Sequence, residues 1–429
     1  MGPSDWCEIA KKIGVYFSVK IGEDGIPRGA TKGDALLTLW SLSRVMLIPL
    51  QEVWSIRSKY VADFPNLTFQ ELEHFITTVK GYKETNSKLD YTDMLELFIS
   101  EGQPIHASHV VVDEAQDLSP LQWAVVNKLC EGAVEFHLAG DDDQAIHEWN
   151  GASPSHFIKH KADYFKVLPQ SFRIPAKVHQ VAASISSRIK VRLTKDYHPR
   201  GEPGAVVRIP ELDCQWLRDA VKEGGSWFFL VRNHGMSPLY AKFCREQGLL
   251  FSCQGGAGPD MKALTAIKTW KLLQSAQPLS QEQVQDLYAF MGTRDRVAYG
   301  MKTAVSKAPA NTQFTYSMLT AAYGLLAPRD MLWDQALDKI VPEDRAYFKT
   351  VEARTGFDNA PKIEIATIHA VKGREADNVV ILPDMTNKTF QGYRDNPDAE
   401  HRVWYVGVTR AKNRLITVEP MSCSAYQLP

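Results

Sequence analysis

The sequence predicts an α/β protein carrying two parallel-sheet units, and three observations lead there. First, short apolar, β-branched runs end in acidic residues: His109-Val110-Val111-Val112 runs into Asp113, and Val134 to Gly140 runs into Asp141. Such runs suit strands buried on both faces of a parallel sheet. Second, Pro120 to Cys130 lies between those runs and reads as the crossover helix that a parallel pair requires. Third, the rhythm resumes beyond Asp196 to Gly204, a stretch dense in turn formers that reads as a linker. Strand-like segments follow at Ala205–Ile209, Trp227–Val231 and Leu249–Cys253, with a helix at Pro238–Gln247. Two more appear at Ile363–Thr367 and Asn378–Leu382. Doubly wound sheets of this kind bind ligands at the carboxyl ends of their strands.

The remaining elements are helical. Residues 1–88 carry helical candidates at Asp34–Val45 and Leu50–Tyr60, with Pro49 at the break. Leu72, Phe75, Ile76 and Val79 recur at helical spacing behind Thr68-Phe69-Gln70-Glu71, which fits a capping box. Nothing in this part carries obvious chemistry, and its expected role is packing. Residues 276–360 read as helical and polar again, without the strand-turn-helix rhythm. The simplest parse has a helical segment at 1–88 and a first α/β unit at 89–200. A second α/β unit is then built from 201–275 and 361–429, with a helical insertion at 276–360.

Composition excludes several classes. The chain has 429 residues, 44% of them hydrophobic and 23% charged, which is ordinary for a globular protein. That length amounts to roughly three domains at about 150 residues each. The 49 Lys and Arg against 50 Asp and Glu exclude a histone-like polycation, while leaving room for one basic groove. The 6 cysteines show no C-x-x-C spacing, so neither a disulfide scaffold nor a zinc ribbon is expected. No secretory signal is visible, and the most apolar window, Ala35 to Leu50, is interrupted by Arg44 and Pro49. A cytoplasmic protein without a membrane span is expected.

The chemistry sits at two strand tips. Asp113-Glu114-Ala115-Gln116-Asp117 follows the first run directly. A carboxylate in that place can hold Mg²⁺, and a second beside it can orient or deprotonate an attacking water. Gly140-Asp141-Asp142-Asp143-Gln144 closes the next run, with His147, Trp149 and Asn150 just beyond. Consecutive aspartates at a tip ordinarily mean a solvated turn. Gln144, however, is placed to reach a terminal phosphate, and Trp149 offers a face to a nucleobase.

The order of these blocks resembles superfamily 1 DNA helicases of the UvrD/Rep/PcrA type, phage-encoded members with a compact inserted domain among them. The blocks are DEAQD, GDDDQ followed by W-x-G-A, Gln170-Ser171-Phe172-Arg173, Thr367 to Glu375, and Val403 to Lys412, and the likeness runs from about Asp90 to Ile416. The resemblance implies RecA-like domains with helical insertions of the 1B and 2B kind, and ATP bound with Mg²⁺ between the α/β domains. It implies that Asp113 holds Mg²⁺, with Glu114 as general base beside the metal, and that Gln144 senses the γ-phosphate. It implies that Arg173 and Arg410 approach that phosphate and that Glu375 binds the nucleotide sugar. Thr367, His369, His147, Trp149 and Asn150 would meet single-stranded DNA, Trp149 by stacking on a base. The implied activity is ATP-dependent 3′–5′ translocation on single strands and opening of single-strand/duplex junctions. His147 and Asn150 depart from the family, which usually has Tyr and Arg there; loss of the guanidinium removes a cation from the DNA face.

A P-loop, G-x-x-x-x-G-K-[ST], is not found: the sequence holds no Gly-Lys dipeptide, and Gly29-Ala30-Thr31-Lys32-Gly33-Asp34 has the wrong order. A separate fragment carrying the P-loop is therefore the expected partner, since the strand ending at Asp113 would otherwise expose unpaired backbone. The alternative is a catalytically silent DNA-binding or regulatory module descended from a helicase.

Overall fold

The computed structural model describes residues 1–18, 31–148, 151–254, 258–309, 311–358 and 362–429. Trp149, Asn150 and part of the Gly29–Asp34 string lie outside the described residues. The protein has the RecA-like α/β fold with parallel sheets. It divides into a first unit, Met1–Ser171 with Ala182–His198 and Gly392–Val406, and a second, Phe172–Val181 with Pro199–Gln391 and Gly407–Pro429.

The first unit opens with helices. Lys32–Met46 begins at a capping box in which the Thr31 hydroxyl accepts from the Asp34 backbone N–H, and Asp34 answers the Thr31 N–H. Phe69–Asn86 begins at the box expected from Thr68 and Glu71. Such a cap satisfies backbone donors that a helix start leaves unpaired. Leu36, Leu39, Trp40, Leu72, Phe75 and Val79 turn inward from these helices into one core. Arg44 then ties this core to the helix Tyr91–Glu101, with ion pairs to Asp90 at 3.0 Å, Asp93 at 2.6 Å and Glu96 at 2.6 Å.

Two strands complete the unit, β1 (His109–Val112) and β2 (Glu135–Leu138), joined by the crossover helix Pro120–Cys130. They pair in parallel, His109 opposite Glu135 and Val112 opposite Leu138, and among the described residues this sheet has no third strand. One face carries His109, Val111, Glu135 and His137, all exposed, with Val111 at 67%. A parallel sheet ordinarily hides both faces. Among the described residues, this one leaves a valine-bearing face exposed and pairs neither edge with a further strand.

Next come β3 (Gln170–Pro175) and β4 (His198–Arg200), which pair with each other. The second unit holds β5 (Ala205–Ile209), β6 (Ser226–Val231), β7 (Phe251–Cys253), β8 (Lys362–Thr367), β9 (Ala376–Ile381) and β10 (Ala411–Val418). They form a six-stranded parallel sheet in the order β5-β10-β9-β6-β8-β7. Its two central strands carry apolar runs: Trp227 to Val231 are all buried, as are Val379 to Ile381. Because every strand runs the same way, all carboxyl ends lie at one edge of the sheet and all amino ends at the other.

The segment 276–360 differs from its polar reading. Val284, Leu287, Tyr288, Leu319, Phe348 and Val351 are buried in the same cluster as Trp227, Phe229 and Ile365 of the sheet. Its helices are amphipathic: they show polar residues to water and close one core with the sheet. Among the described residues no helix is long and apolar enough to cross a membrane.

Candidate functional site

In the first unit the chemistry gathers at the carboxyl ends of β1 and β2. Asp113 and Glu114 leave β1 exposed to solvent. Glu114 has φ 52°, in the left-handed region that a residue with a Cβ rarely occupies. The Asp113 carboxylate accepts from the Glu114 N–H at 2.8 Å and holds that turn. Backbone held this way costs of order 1–3 kcal/mol and concentrates at functional sites.

Gln116, fully buried, ties the two strand tips together. Its amide nitrogen donates to Glu114 Oε2 at 2.5 Å and to Asp117 Oδ2 at 3.2 Å. Its carbonyl oxygen accepts from the Asp141 N–H, beyond β2, at 3.0 Å. The side chain passes hard against Gly140, where an added Cβ would collide with Gln116 Oε1 and lie 3.1 Å from Phe157 Cζ. A side chain at 140 and this amide are therefore incompatible. Gln144 Nε2 donates to Asp141 Oδ2 at 2.7 Å, which brings it into the same cluster.

The aspartates do not form the solvated turn that their spacing suggests. Asp142 and Asp143 are 1% and 2% exposed. Lys195 reaches Asp141 at 2.5 Å, Asp142 at 2.6 Å and Asp143 at 3.2 Å. Arg192 adds a pair with Asp143 at 2.5 Å, and the Leu193 N–H donates to Asp142 at 2.8 Å. Burial works to lower the Lys195 pKa, but the three carboxylates outweigh it and hold it above the ordinary lysine value. Burial likewise works to raise Asp141, and Lys195 with the Gln144 amide brings it below the ordinary range. Arg402, 1% exposed, closes the loop from the far end of the chain. It donates to the Asp142 carbonyl at 2.9 Å and the Val191 carbonyl at 2.5 Å, and pairs with Glu148 at 3.2 Å. His147 sits partly buried in this loop.

The second unit separates its candidates by strand end. Thr367 closes β8 and His369 lies in the 3-10 turn after it, at the carboxyl edge. The Thr367 hydroxyl, nearly buried, accepts from the Ala370 N–H at 3.4 Å. Glu375 and Arg410 directly precede β9 and β10, at the amino edge. With strands of 6 residues in β8 and β9, the two groups stand roughly 20 Å apart. Glu375, exposed, pairs with Lys412 at 3.2 Å. Arg410 is fully buried, donating to the Arg374 carbonyl at 3.3 Å and to the Thr409 hydroxyl at 3.0 Å. Arg173 belongs to this unit through β3.

The structure thus brings Asp113, Glu114 and Gln144 together, and places Glu375 and Arg410 at the sheet edge opposite Thr367 and His369. Sequence reasoning missed Gln116, Gly140, Arg192, Lys195 and Arg402. Gln116 carried a signal, an amide within an acidic loop. Lys195 and Arg402 are distant in sequence from the aspartates they hold and carried none.

Residues 55–165 match the family model for the UvrD/REP helicase N-terminal domain, and residues 337–419 match that for the UvrD-like helicase C-terminal domain. The first match spans both strand-tip loops, and the second spans Thr367 to Arg410. The chain belongs to the UvrD/Rep superfamily 1 family. It is 27% identical over 220 residues to DNA helicase II of Haemophilus influenzae, covering 44% of this chain and 30% of that protein. It is 23% identical over 341 residues to the ATP-dependent DNA helicase UvrD2 of Mycobacterium bovis, covering 71% of this chain and 46% of that protein. The ATP-dependent DNA helicase Rep of Buchnera aphidicola is 29% identical over 142 residues, or 30% of this chain and 21% of that protein. The chain thus spans less than half the length of each of these curated UvrD/Rep relatives.

Proposed function

We propose that this UvrD/Rep chain is the C-terminal portion of an ATP-driven motor that moves 3′ to 5′ on single-stranded DNA and opens single-strand/duplex junctions. The observation that carries the reading is the Gln116 amide, which couples Glu114 to the loop bearing Gln144. A solvated acidic turn has no use for a buried amide joining two strand tips.

The donor set at β1 is carboxylate oxygen, which suits Mg²⁺. Asp113 would hold the ion, which when bound neutralises charge on ATP phosphates. Glu114, exposed at the end of β1, orients water and takes its proton. Gln144 reads the terminal phosphate, Arg173 and Arg410 supply positive charge to it, and Glu375 binds the sugar. Thr367 and His369 contact the DNA backbone, with His147, Trp149 and Asn150 on the same strand of DNA.

The P-loop comes from polypeptide outside these 429 residues. Two facts support this: no Gly-Lys dipeptide occurs in the sequence, and the β1–β2 face is open with Val111 67% exposed. A second reading, a catalytically silent DNA-binding or regulatory module, is favoured by the same missing dipeptide. DNA-stimulated ATP hydrolysis separates them, measured on this chain alone and with the polypeptide that co-purifies from the native source. The motor reading expects turnover only in the complete assembly, and expects Glu114→Gln to abolish turnover while sparing ATP binding. Unchanged turnover in that variant overturns the assigned base. Absence of any P-loop polypeptide at the open sheet overturns the completed motor.

A further inference from the structure

At the other end of β1 and β2 from Asp113 stands a group of side chains that the motor reading does not use. His109 opens β1 and Glu135 opens β2, directly opposite in the parallel register, and His137 follows on the same face. Glu135 Oε2 lies 3.1 Å from His109 Nδ1 and 3.1 Å from His137 Nε2. The imidazole rings face each other at 6.0 Å with an interplanar angle of 25°. Side-chain exposures of 62%, 55% and 53% for His109, Glu135 and His137 leave the group open to solvent.

We propose that His109, Glu135 and His137 form a binding site for a divalent transition metal, Zn²⁺ foremost. Neutral imidazole nitrogens with one carboxylate oxygen are donors that Zn²⁺ takes at about 2.0–2.2 Å. At such bond lengths two donors of a tetrahedral site stand about 3.3 Å apart. Both nitrogen-to-carboxylate separations, 3.1 Å, are already close to that edge. All three donor atoms lie within 4.8 Å of one another, so small side-chain rotations close the remaining nitrogen–nitrogen gap. The strands supply fixed spacing, since i and i+2 on one strand and the paired residue on its neighbour share a face. Three protein ligands leave the fourth position to water. The imidazoles also set this site apart from the Asp113 carboxylates, whose oxygen donors favour Mg²⁺.

Such a metal would bridge β1 to β2 across a sheet that has no third strand among the described residues. It would stabilise the first unit in proportion to its occupancy. The site uses none of the residues assigned to ATP or DNA, so metal binding by this chain is measured separately from ATP turnover.

The test uses the full chain, stripped with a chelator and held in millimolar Mg²⁺ so that carboxylate-only sites are filled. Titration with Zn²⁺ is followed by calorimetry, and with Co²⁺ by visible absorption, where tetrahedral nitrogen–oxygen coordination gives an intense band. The expected result is one equivalent bound at micromolar metal, with a rise of a few degrees in melting temperature. His109→Gln and His137→Gln should each weaken binding at least tenfold and remove the rise. Glu135→Gln should weaken it less, since the amide oxygen remains a poor ligand. All three side chains are exposed, so melting without metal checks that the variants fold. Replacing the exposed Cys7 and Cys423 by Ser should leave binding unchanged. No saturable binding, or histidine variants that bind like the parent, overturns the proposal.

Discussion

Gly140 and Gln116 show how narrowly the first strand tips are defined. Gly140→Ala forces the buried Gln116 amide out of its slot, leaving the Asp141 N–H without its acceptor. An orphaned buried donor costs about 1–3 kcal/mol, which urea unfolding of the variant should reveal. The same change frees Glu114, so ATP turnover of the complete assembly should fall with it. Lys195 is a second such residue. Lys195→Met removes the ammonium that pairs with both buried aspartates, leaving Arg192 on Asp143 and the Leu193 N–H on Asp142, and a loss of about 3–5 kcal/mol is expected. The pH dependence follows from the shifts. Asp141, depressed in the fold, contributes fully above its ordinary pKa and loses that contribution as acid takes the pH down through its native value. Lys195, raised in the fold, contributes fully below 10.5 and loses that contribution as the pH climbs through its native value. In chemical denaturation across pH, the stability difference between the parent and the Lys195→Met variant should be level from about pH 4 to about pH 10 and shrink on either side.

Among elements, β1 differs from the strands of the second unit. Val111 is exposed, so Val111→Lys should change stability of the isolated chain by less than about 0.5 kcal/mol. It should also reduce self-association in light scattering, because a charge on an open sheet discourages edge pairing. By contrast, Leu72→Ala in the helical core should cost about 2–5 kcal/mol in denaturant unfolding, since Leu72 is fully buried. Many elements were legible because they carry local signals. The capping box at Thr68 and Glu71, the crossover helix Pro120–Cys130 and the strand Ala205–Ile209 all stand where their patterns put them. β10 was not legible. Lys412, Asn413 and Arg414, which follow its first residue, are polar, and the register shifts between Ala411 and Arg414. That irregularity breaks the alternation by which a strand is recognised, although β10 lies inside the sheet between β5 and β9.

At the scale of the molecule, the two units answer pH differently. Lys302, in the helical segment of the second unit, donates to the carbonyls of Tyr288 and Met291. Burial, then the nearby Lys339, lowers its pKa to about 8. Between about 8 and 10.5 the unfolded chain therefore holds a proton that the native chain has released, and stability rises with pH. The melting temperature of the parent relative to Lys302→Met should increase from pH 7.5 to pH 10. In the first unit Lys195 keeps its proton over the same range, so no such rise is expected there. The helical segment is thus coupled to the sheet's stability, as its shared core requires.

By itself the sequence determined the UvrD/Rep family, the alternation of strand and helix, and the candidates at each strand tip. These are written locally: in periodicity, in caps, and in short blocks whose residues must be near one another to act. Tertiary structure alone decided which charges bury the aspartates, that Gln116 holds Glu114, and that His109 meets Glu135 and His137. The physical reason is sequence distance. Lys195 and Arg402 find Asp142 only after crossovers bring remote segments together, and pairing of parallel strands sets His109 against Glu135 through register that no single run of residues encodes.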